Sequence, residues 1–159
     1  MSLEEDIGQR KFSSARQKAL INILYTSNFI TAKMNDVFKQ YDITKQQYNV
    51  LRILRGAHPK SLSINCIKER MLDKMSDASR IVERLHKKGL IKRLVNKKDR
   101  RTADVKIKKS GLELLQRSDP AIQEFERFLD NLNDAEIKDI NLCLDKVREA
   151  KKASFNPEI

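Results

Sequence analysis

Hydrophobic positions recur along most of the chain at the three- and four-residue spacings of amphipathic helices. They do so from about Phe12 to Lys39, which predicts one long helix with few breakers. A second helix is predicted from Thr44 to Gly56, since Thr44 and Gln47 form a capping box and apolar residues follow on a wide arc. That arc indicates burial on most sides. The helix is expected to end ahead of Pro59, because the residue before a proline is disfavoured in a helix.

The next segment predicts two short helices followed by a β-hairpin. Ser63 can cap the first helix. Its inward residues are Ile64, Ile67 and Met71. After a short turn, the second helix is predicted from about Met75 to Lys88, with Gly89 at the left-handed position that ends it. Its apolar stripe comprises Ala78, Ile81, Val82 and Leu85. Two strand-like runs, Leu90 to Val95 and Ala103 to Lys108, predict a hairpin with a loop of about 7 residues.

The last third of the chain predicts two more helices. Ser110 to Glu113 has the form of another capping box, and the helix that it opens is expected to pass Asp119-Pro120 with a kink or short break, because the apolar period resumes in phase. Asn133 to Glu136 has a similar form ahead of a final helix. The tail from Ala153 to Ile159 is expected to be loose.

Together these elements predict a mainly α protein with a small β-hairpin wing. A chain of 159 residues is long enough for one sizeable core, so one folding unit is expected. The winged helix-turn-helix would occupy residues 44–110, and helices over 10–40 and 111–151 would flank it. The flanking helices carry more apolar surface than one small winged helix could cover, which predicts a homodimer built from them. The residues behind this prediction are Leu20, Leu24, Phe125, Phe128, Leu129, Ile137, Ile140 and Leu144.

Positive charge is concentrated in the predicted winged helix-turn-helix. Thr44 to Ser110 holds 20 Lys and Arg against 6 Asp and Glu, so its formal charge is +14 while the rest of the chain carries −3. A basic helix followed by a basic hairpin is the footprint of a protein that binds nucleic acid.

Four short runs carry a resemblance to a known family. They are Ile67-Lys68-Glu69-Arg70-Met71-Leu72, Ser79-Arg80-Ile81-Val82-Glu83-Arg84-Leu85, Lys87-Lys88-Gly89-Leu90-Ile91 and Asp99-Arg100-Arg101. With them, the chain resembles the MarR family of bacterial transcriptional regulators over nearly its whole length. The Asp-Arg-Arg of the wing and the Lys-Lys-Gly-Leu at the helix end are specific when found together. The resemblance implies a triangular homodimer that binds pseudo-palindromic operators in double-stranded DNA, usually as a repressor.

The resemblance also implies which residues contact DNA. The second short helix would enter the major groove, and Arg101, braced by Asp99, would enter the adjacent minor groove. The expected helix contacts are Ser76, Ser79, Arg80 and Arg84, and the expected wing contacts are Lys97, Lys98, Asp99, Arg100 and Arg101. Physical chemistry supports these residues, since arginine can bond guanine bidentately and serine can meet a phosphate or a base edge. Glu83 is expected to orient Arg80 or Arg84, with acceptance from cytosine as the alternative.

In the resembled family, small phenolic or aromatic ligands often lodge between the dimer helices and the DNA-binding lobe. Such a crevice would here be lined by Phe29, Met34, Tyr48 and Leu51. The pattern favours ordinary core packing of the same residues, so the aromatic effector is an expectation that depends on the resemblance.

Catalysis, metal binding and membrane insertion are not indicated by the sequence. Neither His58 nor His86 has a plausible nucleophile or carboxylate partner nearby in sequence, and no glycine-rich loop could cradle a phosphate. Cys66 and Cys143 belong to no metal-spaced cluster, so both are expected to be small buried core residues without a redox role. No cofactor is expected. The chain has no run of ~18 apolar residues and no leader pattern, which predicts a cytosolic protein.

Three further non-enzymatic interpretations stay open. The basic surface suits a sequence-neutral architectural DNA-binding protein as well as a regulator. It suits double-stranded RNA less well, because the deep and narrow major groove of RNA does not admit a helix. The third is a protein-interaction module that meets an acidic partner. A specific competitor duplex would displace a regulator far better than random DNA, and it would not do so for a neutral binder.

Overall fold

The computed structural model describes residues 2–95 and 103–149 of the chain. Two compact units are present, Met1–Ile122 and Gln123–Ile159. The helices are α1 (Leu3–Ile7), α2 (Ala15–Gln40), α3 (Lys45–Ala57), α4 (Ile64–Arg70), α5 (Ala78–Lys87), α6 (Lys109–Gln123) and α7 (Asp134–Glu149). The strands are β1 (Leu62–Ser63), β2 (Ile91–Val95) and β3 (Ala103–Ile107), and a 3-10 helix spans Glu124–Leu129. The predicted mainly α fold with a small hairpin is therefore confirmed.

The hydrophobic core of the first unit gathers α3, α4, α5, the sheet and the start of α6. Its fully buried side chains include Val50, Leu51, Leu54, Ile67, Val82, Leu85, Val105 and Leu115. Phe38, at the end of α2, joins them by packing on Tyr48 of α3, with 4.7 Å between the ring centroids. Each such burial stabilises the fold by roughly 1.5–3 kcal/mol. The core therefore fixes α5 against the sheet, and the burial predicted for the second helix is confirmed.

Side-chain caps begin three helices at the residues that the sequence predicts. Thr44 Oγ1 accepts a hydrogen bond from the Gln47 amide at 3.2 Å, and Gln47 Oε1 accepts one from the Thr44 amide at 3.1 Å. Asn133 and Glu136 exchange the same pair of bonds at 3.1 and 2.9 Å. Ser63 caps α4. Each cap pairs an amide that the helix itself leaves unpaired, which fixes the first residue of α3, α4 and α7.

Helix α5 begins at Ala78, so the prediction of a start near Met75 is wrong. Asp77 caps the helix by accepting a hydrogen bond from the Arg80 amide at 3.0 Å. Asp73 folds the preceding residues into a turn, accepting from the Met75 amide at 3.0 Å and from the Ser76 hydroxyl at 2.7 Å. Two aspartates thus compete for the amides that a longer helix would need, and they place Met75 and Ser76 ahead of the helix.

The hairpin strands belong to a three-stranded antiparallel sheet of order β1-β3-β2. β2 and β3 pair along their whole length as predicted, from Ile91 opposite Ile107 onward. The sequence does not predict β1, which adds Leu62 opposite Val105 on the other side of β3. Because β1 leads directly into α4, it joins the sheet to the two short helices.

Gly111 allows α6 to lie close against the end of the hairpin. A Cβ atom at this position would lie 2.5 Å from the carbonyl oxygen of Leu90 and 2.8 Å from Cγ1 of Ile107, so only glycine fits. The predicted capping box at Ser110 is wrong, because the helix begins one residue earlier and the Ser110 hydroxyl donates to the carbonyl of Gly89 at 2.8 Å. Gly89 itself has φ 71° and follows the end of α5 as predicted.

Several helices bury little of their surface. Helix α6 does not end at Pro120, as predicted, but it ends three residues later at Gln123, where the 3-10 helix follows. In the second unit the rings of Phe125 and Phe128 lie 5.6 Å apart, yet neither the 3-10 helix nor α7 contains a buried residue. In the first unit, Phe38 is the sole buried residue among the 26 of α2. Because helices in proteins owe most of their stability to packing, the exposed apolar faces of α2 and α7 suit packing against another surface.

The prediction that both cysteines are buried is wrong. Cys66 is half-buried on α4 and Cys143 is exposed on α7. Cys66 lies one residue before the buried Ile67 and so points away from the helix face that the core covers. Cys143 belongs to a helix with no buried residue at all. Apolar neighbours in sequence therefore did not imply burial at either position.

Candidate nucleic-acid interface

Helix α5 presents two arginines on the side opposite its buried stripe. Ala78, Val82 and Leu85 hold it to the core at 3%, 0% and 0% exposure. Arg80 and Arg84 are exposed, and their four-residue spacing places them on one face of the helix. Within residues 2–95 and 103–149, neither guanidinium has a hydrogen-bond or ion-pair partner. Both are therefore free to bind a ligand.

The two serines predicted as helix contacts lie in different places. Ser79 is exposed in the first turn of α5, beside Arg80. Ser76 lies in the preceding turn, partly buried, and its hydroxyl donates to Asp73. That hydrogen bond and the one from the Met75 amide hold the pKa of the Asp73 carboxyl below its ordinary value. Ser76 thus helps to shape the turn, and the helix itself carries Ser79, Arg80 and Arg84.

Glu83 forms its ion pairs with residues other than the two arginines. Its Oε2 lies 2.9 Å from Nη1 of Arg93, and its Oε1 lies 3.7 Å from Nζ of Lys87. The prediction that Glu83 orients Arg80 or Arg84 is therefore wrong. The side chain is drawn toward β2 and toward the next helical turn, where Arg93 and Lys87 lie. The pair with Arg93 connects α5 to the hairpin.

The basic surface continues from α5 onto the hairpin strands. Lys92 and Arg93 on β2 are exposed, as is Lys108 just after β3. The wing residues Lys97, Lys98, Asp99, Arg100 and Arg101 lie outside the described residues, so their contacts stay a prediction. The strands that carry their loop are held by the full β2–β3 ladder.

A cleft of about 490 Å³ lies at the carboxy-terminal end of α5. It is lined by Lys39, Asp42, Ile43, Thr44, Gln47, Arg84, Lys87 and Lys88. Lys88 crosses it, with Nζ 2.8 Å from the Asp42 carboxylate and a second hydrogen bond to the Asp42 carbonyl. This contact ties the end of α5 to the turn between α2 and α3.

The four residues predicted to line a ligand crevice lie in unlike surroundings. Tyr48 and Leu51 belong to the core at 5% and 0% exposure, and burial raises the pKa of the Tyr48 hydroxyl. Met34 is partly buried against the same core. Phe29 is 46% exposed on α2. Core packing, the alternative left open by the sequence, thus describes Tyr48 and Leu51.

The part of the chain that the structure describes contains neither a metal-ligand cluster nor a helix able to cross a membrane. There, no three His, Cys, Asp or Glu side chains are grouped to hold a metal ion. None of the helices in that part combines the length and the apolar character that crossing a membrane requires.

Comparison with known proteins finds a family model for part of the chain and similar proteins over most of it. Residues 41–102 match the family model described as the MarR family. The HTH-type transcriptional repressor IacR of Pseudomonas putida is 28% identical over 118 residues, which cover 74% of this chain and 70% of that protein. The crystal structure of a MarR transcription factor from Planctomyces limnophilus matches at a TM-score of 0.65 and 28% identity, covering 85% of this chain and 98% of that one. Residues 41–102 are therefore assigned to the MarR family, and over most of its length the chain is similar to proteins that carry the family's name.

A second structural match shows how far the fold is shared. The S. aureus MepR-DNA complex matches at a TM-score of 0.73 and 23% identity, over 88% of this chain and 99% of that one. The residues that match the family model span α3 to β2 and so include α5. We therefore call α5 the recognition helix and the β2–β3 hairpin the wing.

Sequence reasoning missed three polar residues that shape this surface. Asp77 carried a signal, since aspartate three residues before Arg80 suits a helix cap. Asp73 carried the signal of an aspartate-centred turn. Arg93 carried none, because its pairing with Glu83 bridges two elements ten residues apart and depends on the packing of helix on sheet.

Proposed function

We propose that this protein is a sequence-specific repressor that binds a pseudo-palindromic operator as a homodimer. The observation that carries the proposal is the recognition helix, whose buried stripe is fixed to the core while Arg80 and Arg84 are exposed together without partners among the described residues. A helix fits the major groove, and arginine can donate two hydrogen bonds to guanine there. Because the helix is fixed to the core, the guanidinium donors would have defined positions relative to the base edges.

The scarcity of buried surface on α2 and α7 supports the homodimer. Large apolar side chains stand exposed on α2, and others stand exposed in the second unit. They are Leu20, Ile23, Leu24, Tyr25 and Phe29 on α2, and Phe128, Leu129, Ile140, Leu142 and Val147 in the second unit. A second copy of the chain would bury such faces, and a symmetric dimer would place two recognition helices on two half-sites.

Repression is supported by the relative from Pseudomonas putida, which is named a transcriptional repressor. A repressor acts by occupying DNA, so the basic surface alone is sufficient for it and no second activity is needed. A reporter gene placed behind the operator should be silenced when the protein is present. A rise in reporter expression would assign the protein to activation.

Selection of bound duplexes from a random pool tests sequence-specific binding. We expect one enriched pseudo-palindrome, which should bind at least ~10³ times more tightly than random DNA of equal length at the same salt concentration. Equal affinity for both would favour the architectural DNA-binding alternative. If the protein binds neither the selected duplex nor random DNA, the protein-interaction module is the remaining interpretation.

A small aromatic effector is a further part of the proposal. Phe29 and Met34 retain some exposure along α2, so the effector would contact that helix. A ligand that weakens DNA binding must itself be bound less tightly in the presence of the operator, because the coupling is reciprocal. If a broad panel of aromatic acids changes neither thermal stability nor operator affinity, those compounds are excluded.

A further inference from the structure

The turn between α4 and the recognition helix exposes two apolar side chains. Leu72 is 86% exposed and Met75 is 94% exposed, the highest values among the large hydrophobic side chains of the described residues. Single exposed apolar residues are common on protein surfaces. These two are distinguished by their place, since they stand three positions apart in the short turn that opens the recognition helix.

Hydrogen bonds hold the backbone of this turn at several points. The Leu72 amide donates to Oδ1 of Asn49 on α3 at 3.0 Å, and the Met75 amide donates to Oδ1 of Asp73 at 3.0 Å. Asp77 then caps the helix. A turn with this many internal bonds holds its Cα positions against the core. Met75 is therefore presented to solvent from a fixed point.

The charges around Met75 suit nucleic acid. Lys74 and Arg80 are exposed on either side of it. The two acids of the turn are engaged by the turn itself, since Asp73 accepts from the Met75 amide and the Ser76 hydroxyl and Asp77 accepts from the Arg80 amide. An exposed apolar side chain flanked by cations, with the neighbouring carboxylates held by hydrogen bonds, matches an anionic partner that also has apolar groups.

We propose that Met75 contacts the 5-methyl group of thymine in the major groove, an inference that depends on the proposed operator binding. The first residues of a recognition helix contact base edges, and Met75 lies two residues before the cap of that helix. The thymine methyl is the apolar feature of the major-groove edge. The flexible thioether chain of methionine adapts to such a contact. Arg80 and Met75 would then read a guanine and a nearby thymine in each half-site.

Uracil substitution isolates this contact, because deoxyuridine differs from thymidine only by the missing methyl group. The selected operator is prepared with deoxyuridine in place of each thymidine in turn, and the affinity of the full-length protein is measured for each duplex. We expect one position per half-site to lose affinity by about fourfold, which corresponds to roughly 0.8 kcal/mol for one buried methylene-sized group.

Met75→Gln should abolish that loss while keeping the length of the side chain. The variant should bind the thymidine and deoxyuridine duplexes equally, which completes a double-mutant cycle between residue and methyl. Lys74→Ala is the matched control from the same turn. It removes a charge, so it should weaken both duplexes by the same factor and leave the methyl dependence intact.

The outcomes separate this inference from the proposed function. Met75 is 94% exposed, so its variant should keep the thermal unfolding midpoint of the original protein. If the original protein binds the selected duplex no better than random DNA, sequence-specific binding itself is wrong. If the preference for the operator persists but Met75→Gln shows the same methyl dependence as the original, the proposed contact is wrong. The same persistence is expected if the turn binds a protein partner and not DNA.

Discussion

The carboxylate of Glu83 on the recognition helix lies 2.9 Å from the guanidinium of Arg93 on the wing strand β2. Both side chains are 42% exposed, and an ion pair of this kind contributes only ~0–1 kcal/mol to stability. Its larger effect is on charge. Glu83 pairs with Arg93 and also with Lys87, whose Nζ lies 3.7 Å from Glu83 Oε1. Without Glu83, both cations would be available to DNA phosphates.

Glu83→Gln should therefore tighten binding to random DNA. Two cations are released and one negative charge is removed, so the salt dependence should steepen by about 0.9 in log–log slope for each phosphate newly contacted. The ratio of operator to random affinity should fall. Titrations by fluorescence anisotropy at several potassium chloride concentrations measure both quantities. The double variant with Arg93→Gln should recover about half of the change in slope, because Lys87 remains released, and an unchanged slope in Glu83→Gln would contradict the idea.

Gly111→Ala should destabilise the protein although alanine is the better helix former. The added Cβ would lie 2.5 Å from the Leu90 carbonyl oxygen, and such overpacking costs ~1–3 kcal/mol. Gly56→Ala on α3 is the matched control, because nothing lies within 4 Å of its Cβ position. There the change should stabilise the fold by ~0.5–1 kcal/mol. Urea denaturation of the two variants should shift the midpoint in opposite directions, and equal shifts would refute the close approach of α6.

Arg80→Ala should relax base preference at one position in each half-site. The lost bidentate bond to guanine weakens operator binding by ~1–3 kcal/mol and leaves random DNA less affected. Repeating the duplex selection with the variant measures this directly. A uniform loss across all sequences would make Arg80 a phosphate contact.

Asp99→Ala tests the hypothesis that this acid braces Arg101 in the wing. Removing a negative charge should tighten binding if only charge matters, whereas loss of a brace should weaken it. We expect weaker binding. Arg101→Ala should cost ~1–3 kcal/mol, mainly on flanks with a narrow minor groove. Affinity that rises for Asp99→Ala at fixed salt would leave the wing as an unspecific charged arm.

Light scattering should give a mass of twice 18.5 kDa at micromolar concentration. The exposed Leu20 and Leu24 on α2, each at 56%, are expected to lie in the interface. A charge buried there is costly unless it is paired, so Leu24→Glu should dissociate the dimer and abolish operator binding together. A stable monomer of the original protein would contradict the dimer.

The sequence predicted the elements whose signals are local. Thr44, Ser63 and Asn133 cap their helices as expected, because a cap is a contact between residues three positions apart. Short elements escaped prediction, since five residues of α1 and two of β1 hold no full period.

Contacts between elements were the other limit of prediction. Ser110 has the form of a cap, but its hydroxyl is taken by Gly89 from the preceding helix end. Glu83 has arginines nearby on its own helix, but a strand residue is better placed. The exposure of Arg80 and Arg84 was therefore predicted from the sequence, whereas the partners of Glu83 and of the two aspartates before the helix were not.

The bonds from Lys88 to Asp42 connect the turn after α2 to the end of the recognition helix, so a tilt of α2 would be transmitted to that helix. The helix has 26 residues and is about 39 Å long, so tilting it by one degree about its first turn moves its last turn by roughly 0.7 Å. The last turn of α2 leads into the turn that contains Asp42. Lys88, which binds Asp42, lies at the end of the recognition helix. Half-sites on DNA repeat at about 34–36 Å, a span close to the length of this arm. In the proposed homodimer, a change in the angle of α2 would therefore change the distance between the two recognition helices, and with it the preferred spacing of the half-sites.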